Sequence, residues 1–150
     1  MRITLSINSE HSIELTYDQA TSVVYELDDK PALADFFAKA ANHPASQMRC
    51  IVARKSCLPI SVLKKLAHDS HGDVVREVAQ NKTALKAFSA DLLIHMMNRD
   101  FGVAFELADN LSLIEDIATR DSVINFMQER GDPEMLGKIA KYYRSLTKQA

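Results

Sequence analysis

The sequence predicts a mainly α-helical fold: a short α-solenoid of two-helix repeats, or α-α superhelix, preceded by a β-hairpin and one helix. Three observations lead to this prediction. A five-residue pattern of apolar residues and alanine recurs along the chain, a second set of helices keeps its own spacing, and residues 2–17 alternate between polar and apolar. Residues 1–150 are expected to form a single domain, with the hairpin and helix in 1–30 and the repeats in 32–150.

The recurring pattern is clearest from Leu63 to Ala67, where two lysines separate two leucines and an alanine follows. Copies of it start at Phe37, Leu63, Leu92, Ile114 and Leu136, which are 26, 29, 22 and 22 residues apart. This range suits units of two short helices, each too small to bury its apolar face alone. Stacked neighbours would bury a continuous core.

The second helices of the repeats support the same prediction. Asn81 and Asn110 follow two of these helices, and asparagine tolerates the left-handed conformation that often ends a helix. Matching offsets relate Val74, Val75, Val78 and Ala79 to Val103, Ala104, Leu107 and Ala108. The predicted core residues are Leu63, Leu66, Val75, Val78, Leu107 and Ile117.

Residues 52–81 carry a resemblance to a known family. Its matching residues are Val52-Ala53, Leu58-Pro59, Val62-Leu63, Leu66-Ala67, Asp69, Val75-Arg76, Val78-Ala79 and Asn81. This run resembles the leucine-rich repeat variant, a HEAT-like α-solenoid. The third repeat departs from it, with Phe105 in place of Arg76 and no counterpart of Pro59. The resemblance implies a curved stack of short helices used as an interaction surface, without a shared catalytic site.

The N-terminal segment has the period of two that is typical of strands, interrupted at residues 8–11. A slip of one residue would put one strand's apolar set on the wrong face, so we expect a loop of about three or five residues. The hairpin needs a packing partner, which we expect to be the helix at 17–27. Thr16 is the predicted N-cap of that helix, with Gln19 completing a capping box.

The remaining helices follow from apolar spacing and from Gly and Pro punctuation. The segment 91–98 is apolar almost all round, which favours a central position in the stack. In the last helix, the predicted apolar face contains Leu136, Ile139, Ala140, Tyr143 and Leu146. Helices are expected at 32–42, 46–55, 60–68, 74–80, 91–98 and 133–147, with a short helical stretch after Lys82-Thr83 and a fourth repeat over 111–130.

Composition excludes several classes of protein. No apolar run approaches the roughly 20 residues of a membrane helix, and the alternating N-terminus is unlike a signal peptide. Cys50 and Cys57 are the only cysteines, too few for a disulfide framework or a four-ligand metal site. Reduced thiols of this kind indicate a cytoplasmic protein. We expect no cofactor and no contact with a membrane.

Charge is sorted along the chain although the formal net charge is only −2. Residues 36–66 hold six bases and no acid, whereas residues 91–134 hold ten acids and three bases. In a repeat stack, position along the chain becomes position along the surface, so the sorting should survive as patches. The candidate partner-binding residues, called the basic surface below, are Lys39, Arg49, Arg54, Lys55, Lys64, Lys65 and Arg76.

The favoured function is a non-enzymatic protein–protein interaction module. Its expected partner is a protein with an acidic surface, or a second copy of the chain that offers its 91–134 region. The alternative is a nucleic-acid-binding protein that uses the basic 36–66 region to contact phosphates. Against this alternative, the chain has no Trp to stack on a base, and its acidic half would repel a long duplex.

A third hypothesis is an HD-type metal-dependent phosphohydrolase. The adjacent His68 and Asp69 resemble the His-Asp pair of that all-helical family. The resemblance implies further ligands, which here would be His43 upstream and Asp116 or Asp121 downstream. The competing interpretation is a capping turn that holds no metal, in which Asp69 aligns with Asn98 and Asp73 caps the next helix. The metal candidates are His43, His68, Asp69, His71 and Asp73. No catalytic residue is predicted.

Overall fold

Helices dominate the structure, a computed structural model that describes residues 2–147, with Ile7 described by its backbone alone. Met1 and residues 148–150, the end of the predicted repeat region, lie outside the described residues. The mainly helical fold and the N-terminal hairpin are confirmed. The strands are β1 Thr4–Ile7 and β2 His11–Glu14. The helices are α1 Tyr17–Glu26, α2 Ala34–Ala40, α3 Ser46–Ala53, α4 Ile60–Ala67, α5 Gly72–Ala79, α6 Lys82–Ala87, α7 Ala90–Arg99, α8 Phe101–Asp109, α9 Ile117–Arg130 and α10 Pro133–Thr147, with 3-10 helices at Pro31–Leu33 and Leu111–Leu113.

The hairpin is antiparallel and its loop has the predicted odd length, since β1 ends at Ile7 and β2 begins at His11. Asn8 and Ser9 in the loop have positive φ angles, 51° and 61°. Leu5 pairs with Ile13, yet 50% and 59% of these side chains are exposed. Among the described side chains, the hairpin reaches the core only through Ile3 and Leu15. The expected broad packing of its apolar face on α1 is therefore replaced by contacts at the open end of the hairpin.

Helix α1 begins where the sequence predicts. Thr16 accepts a hydrogen bond from the backbone N–H of Gln19 at 3.4 Å, and its own N–H donates to Oε1 of Gln19 at 3.0 Å. This reciprocal pair is the predicted capping box, and it satisfies two of the amides that a helix start leaves without intrahelical partners. Ala20 and Val24 of α1 then enter the core.

The helices pack as consecutive pairs, α2 with α3, α4 with α5, α7 with α8 and α9 with α10. Contacts also run from one pair to the next: α1 packs on α3, α3 on α5, α5 on α8 and α8 on α10. One apolar core extends from Ala20 to Ile139. Five predicted core residues are at most 1% exposed, namely Leu63, Leu66, Val75, Val78 and Leu107.

Ile117 is the predicted core residue that the structure places elsewhere, since 63% of it is exposed. Only the last two residues of the apolar copy that starts at Ile114 are helical, and Ile114 itself is buried in the segment before α9. Asp116 accepts a hydrogen bond from the N–H of Thr119 at 2.8 Å and so sets the start of α9 three residues later than the pattern implies. The buried face of α9 consists of Val123, Ile124 and Met127.

Helix α10 has the predicted bounds but a different buried face. Met135 and Ile139 are buried, whereas Leu136, Tyr143 and Leu146 are 38–45% exposed. Met135, Ile139 and the partly buried Tyr142 follow helical spacing, so the face that meets α8 and α9 is displaced by one residue from the predicted one.

Asn81 is an N-cap rather than the predicted left-handed helix end. Its φ and ψ are −77° and 116°, and its side-chain oxygen accepts from the N–H groups of Thr83 and Ala84. Its amide nitrogen donates to the carbonyls of Ala53 at 2.8 Å and Lys55 at 3.1 Å. The buried amide therefore uses both donors and ties α6 to the end of α3. The Asn110 backbone is not left-handed either, with a φ of −115°.

The sequence predicts neither a membrane-spanning helix nor a disulfide framework. Between residues 2 and 147, none of the helices combines the length and the apolar composition needed to cross a bilayer. Cys50 and Cys57 are both free thiols, each partly exposed.

Candidate functional site

Arg49 lies on α3 and forms the most enclosed ion pair of the described residues. Its Nε and Nη2 donate to the two carboxylate oxygens of Asp69 at 2.6 and 2.8 Å. Its Nη1 donates to the carbonyls of His43 and Pro44 at 2.9 and 2.8 Å. Only 14% of the Arg49 side chain and 9% of the Asp69 side chain are exposed. Arg49 therefore links the α2–α3 turn to the α4–α5 turn. Its three nitrogens already donate hydrogen bonds inside the protein, which leaves few donors for a ligand.

Asp69 is held in its charged form. Burial raises the pKa of Asp69, but the hydrogen bonds from Arg49 and from the N–H of His71 outweigh it and keep the pKa below its ordinary value. The His71 bond, 2.9 Å long, also closes the turn that leads into α5. Both carboxylate oxygens are thus engaged inside the protein.

The same arrangement recurs between α5 and the α7–α8 turn. Arg76 Nε donates to Asp100 Oδ2 at 3.2 Å, and Asp100 Oδ1 accepts from the N–H of Gly102 at 2.8 Å. A Cβ atom on Gly102 would lie 2.8 Å from Cδ of Arg76, and one on Gly72 would collide with the Asp100 carboxylate. The structural counterpart of Asp69 is therefore Asp100, not Asn98 as the sequence register predicts.

Other members of the basic surface also have internal partners. Arg54 Nε donates to Glu77 at 2.7 Å, and Lys65 donates to the side-chain oxygen of Asn42. Lys55 Nζ donates to the carbonyl of Leu27 at 2.6 Å and lies 5.1 Å from the ring centre of Phe37. With Arg49 and Arg76, five of the seven predicted binding residues hold neighbouring helices together.

Lys39 on α2 and Lys64 on α4 are the remaining members of the basic surface. Both are exposed, and neither has an ion pair or a side-chain hydrogen bond with any residue from 2 to 147. They occupy the first helices of consecutive pairs. Because nothing described neutralises them, these two cations remain available to an external anionic group.

A cleft of about 650 Å³ lies between the α2–α3 and α4–α5 turns. Its lining includes His43, Lys65, His68 and the Arg49–Asp69 pair. The sequence-based candidates in 36–66 and 68–73 are thus partly brought together here. Arg49 and Asp69 are hydrogen-bonded to each other and to neighbouring backbone groups. A ligand in the cleft would therefore contact the exposed side chains of His68 and of Lys65, which also donates to Asn42.

The predicted metal candidates do not form the expected ligand set. Nδ1 of His43 accepts the N–H of Ala45 at 3.1 Å, and its ring stacks on Tyr17. Burial lowers the pKa of His43, which favours the neutral ring. His71 Nδ1 lies 3.5 Å from Asp73, and Asp116 caps α9 while Asp121 is exposed. In the part of the chain that the structure describes, no three or more His, Cys, Asp or Glu side chains come together to hold a metal ion.

His68 has a neighbour that the sequence analysis did not identify. Its Nδ1 lies 3.2 Å from Nε2 of His95 on α7, and the ring centres are 4.8 Å apart. Both side chains are exposed. The two residues are 27 positions apart, close to the spacing of the repeats, so the repeat register was the signal that could have paired them.

The thiols are poorly suited to nucleophilic chemistry. Burial and the nearby Asp29 carboxylate raise the pKa of Cys57 to about 11. Burial, with Glu77 and Asp73, likewise raises the pKa of Cys50. Since the thiolate is the reactive form, neither sulfur is activated at neutral pH.

Asp29 itself connects α1 to the start of the second helix pair. It accepts hydrogen bonds from the N–H and O–H of Ser56, both 2.6 Å, and from the N–H of Cys57 at 2.8 Å. Burial raises its pKa, but these bonds outweigh the effect and lower the pKa to about 2.

Comparisons with family models, with curated proteins and with solved structures find no match for the chain.

Proposed function

We propose that the protein is a non-enzymatic protein–protein interaction module built on a stack of HEAT-like two-helix repeats. The observation that carries this proposal is the succession of contacts from α1 to α3, α5, α8 and α10. Nearest-neighbour packing of this kind is how repeat proteins obtain their stability and their extended surfaces.

The repeated Arg–Asp contacts support the same proposal. Arg49–Asp69 and Arg76–Asp100 each join a second helix to the turn of the following pair. Such contacts suit a scaffold in which each unit depends on its neighbour, and they support a structural role for Arg49 and Arg76 in this proposal. The free thiols Cys50 and Cys57 support a cytoplasmic location as part of this proposal.

The partner surface is proposed to centre on Lys39 and Lys64. These exposed cations have no described counter-charge, so an acidic protein surface would bind there with an affinity that falls as salt is added. A second copy of the chain offers one such surface, since its 91–134 region contains the exposed carboxylates of Asp91, Asp121, Glu129 and Glu134.

The test uses a double charge reversal, Lys39→Glu with Lys64→Glu. A matched control, Arg99→Glu with Lys141→Glu, reverses two exposed cations outside the 36–66 region. We expect both variants to keep the wild-type helical circular dichroism. The Lys39/Lys64 variant should lose at least tenfold in affinity for the acidic partner isolated at low salt, whereas the control should bind within about twofold of wild type.

Three outcomes distinguish the candidate ligands. Concentration-dependent sedimentation of pure wild-type protein, abolished by the Lys39/Lys64 variant, would identify a second copy as the partner. Retention of a separate acidic protein by the wild type alone would identify a hetero-complex. Equal binding by both variants at every salt concentration contradicts the proposal, and Lys39/Lys64-dependent binding of purified RNA or DNA would replace it with the nucleic-acid hypothesis.

A further inference from the structure

We propose that His68 and His95 form a binding site for a divalent transition-metal ion, of which Zn²⁺ is the natural probe. The two rings project from the end of α4 and from α7, two first helices of neighbouring pairs. Their facing nitrogens, Nδ1 of His68 and Nε2 of His95, are 3.2 Å apart. This site does not depend on the proposed function, because neither residue belongs to the basic surface.

The nitrogen–nitrogen separation suits one metal ion between the rings. With Zn–N bonds of about 2.0–2.1 Å and a tetrahedral angle, two ligand nitrogens are separated by about 3.3 Å. The observed 3.2 Å is close to this value, so the helices can keep their positions while the two rings turn to aim both lone pairs at the ion. Imidazole is a ligand that Zn²⁺, Ni²⁺ and Cu²⁺ all accept.

The proton balance permits binding without a further base. A neutral imidazole has one N–H, and in the metal-free pair one ring donates its N–H to the other. On binding, the donating ring moves that proton to its outward nitrogen, so both facing nitrogens present lone pairs to the ion. No net proton is released when both rings start neutral, and water fills the remaining coordination positions.

The surroundings define a two-ligand site. Both histidines are exposed, so an ion and its waters have direct access. Asp69 follows His68 in sequence but is held by Arg49, and it is therefore not counted as a ligand. We expect a single ion per chain, bound more weakly than in a four-ligand structural site, with open positions that a residue of a partner could fill.

The experiment titrates ZnSO₄ into tag-free, chelator-treated full-length protein, monitored by calorimetry and by the imidazole signals in NMR spectra. We expect one ion per chain and selective shifts of the His68 and His95 signals. His68→Ala and His95→Ala should each lower the affinity at least tenfold. His11→Ala, which removes an exposed histidine on β2, should leave the affinity within about twofold of wild type.

Three results would overturn the proposal. The first is Zn²⁺ binding by the His68→Ala/His95→Ala variant with the affinity of the wild type. The second is the absence of binding to the wild type, and the third is a titration in which the two histidine signals stay unshifted while others move. Circular dichroism of each variant checks folding, and His68→Gln and His95→Gln provide a second, polar pair of replacements that also remove the ligands.

Discussion

The Arg49 guanidinium connects three parts of the chain through one side chain. It donates two hydrogen bonds to Asp69 and two more to the carbonyls of His43 and Pro44. A planar fork with several donors in fixed directions can do this, whereas the single ammonium of lysine cannot. From the sequence alone, the basic residues of 36–66 are assigned to partner binding. Arg49, one of these residues, instead stabilises the fold by joining neighbouring segments.

Replacement of Asp69 by Asn should destabilise the protein by about 3 kcal/mol at pH 7, because Arg49 would lose its counter-charge in a largely enclosed position. The pKa of Asp69 is lowered in the folded state. Its stabilising effect is therefore present above the unfolded pKa of about 4 and is lost as the pH falls through the folded value. Urea unfolding of wild type and variant should show a gap that narrows in acid.

The control for this prediction is Asp121→Asn, which removes an exposed carboxylate and should change the unfolding free energy by less than about 0.5 kcal/mol. A gap between wild type and Asp69→Asn that stays constant from pH 7 to strong acid would show that the charge of Asp69 is not what stabilises the turn.

Helix α9 was predicted as a helix, but the residues that it buries were predicted in the wrong register. The apolar pattern from Ile114 to Ala118 matches that of α4, but Asp116 begins the helix inside it. A helix start is decided by which side chain reaches the first free N–H groups. The cap therefore overrides the pattern, buries Ile114 before the helix and leaves Ile117 in solvent.

Two alanine substitutions in α9 test this register with the same chemical change. Ile117→Ala removes a side chain that is 63% exposed and should alter the unfolding free energy by less than about 1 kcal/mol. Ile124→Ala removes one that is 2% exposed and should cost about 3 kcal/mol, since it leaves a cavity in the core. Chemical denaturation measures both. Equal costs, or a larger cost at Ile117, would restore the register that the repeats predict.

For the whole molecule, the distribution of burial predicts unequal local stability. The described side chains of the two hairpin strands are exposed, and the strands form a two-stranded sheet in which each pairs with the other. Helices α4 and α5, by contrast, contribute seven buried residues to the core. A two-stranded hairpin is only marginally stable unless it packs on something else.

Hydrogen exchange followed by mass spectrometry should therefore show the amides of residues 4–14 exchanging at least about a hundredfold faster than those of α5. Peptides from α3 and α8, which pack on α5 from either side, should be protected nearly as well. Protection of the hairpin equal to that of α5 would mean that the hairpin is anchored by more than Ile3 and Leu15.

Local rules in the sequence determined the helical class, the capping box of α1, the hairpin with its odd-length loop and five of the six named core residues. These features depend on the spacing of residues along the chain, so packing against other parts of the molecule changes them little. The bounds of α10 were predictable for the same reason, since Pro133 sets its first turn.

Tertiary structure alone decided how Arg49 and Arg76 are used, that Asp100 is the counterpart of Asp69, and that His68 meets His95. Each of these contacts joins residues 20–27 positions apart. Long side chains such as arginine reach several carboxylates from one backbone position, and the offset between neighbouring helices selects among them. That offset is set by how the apolar faces pack, so it is a property of the assembled core and not of any stretch of sequence.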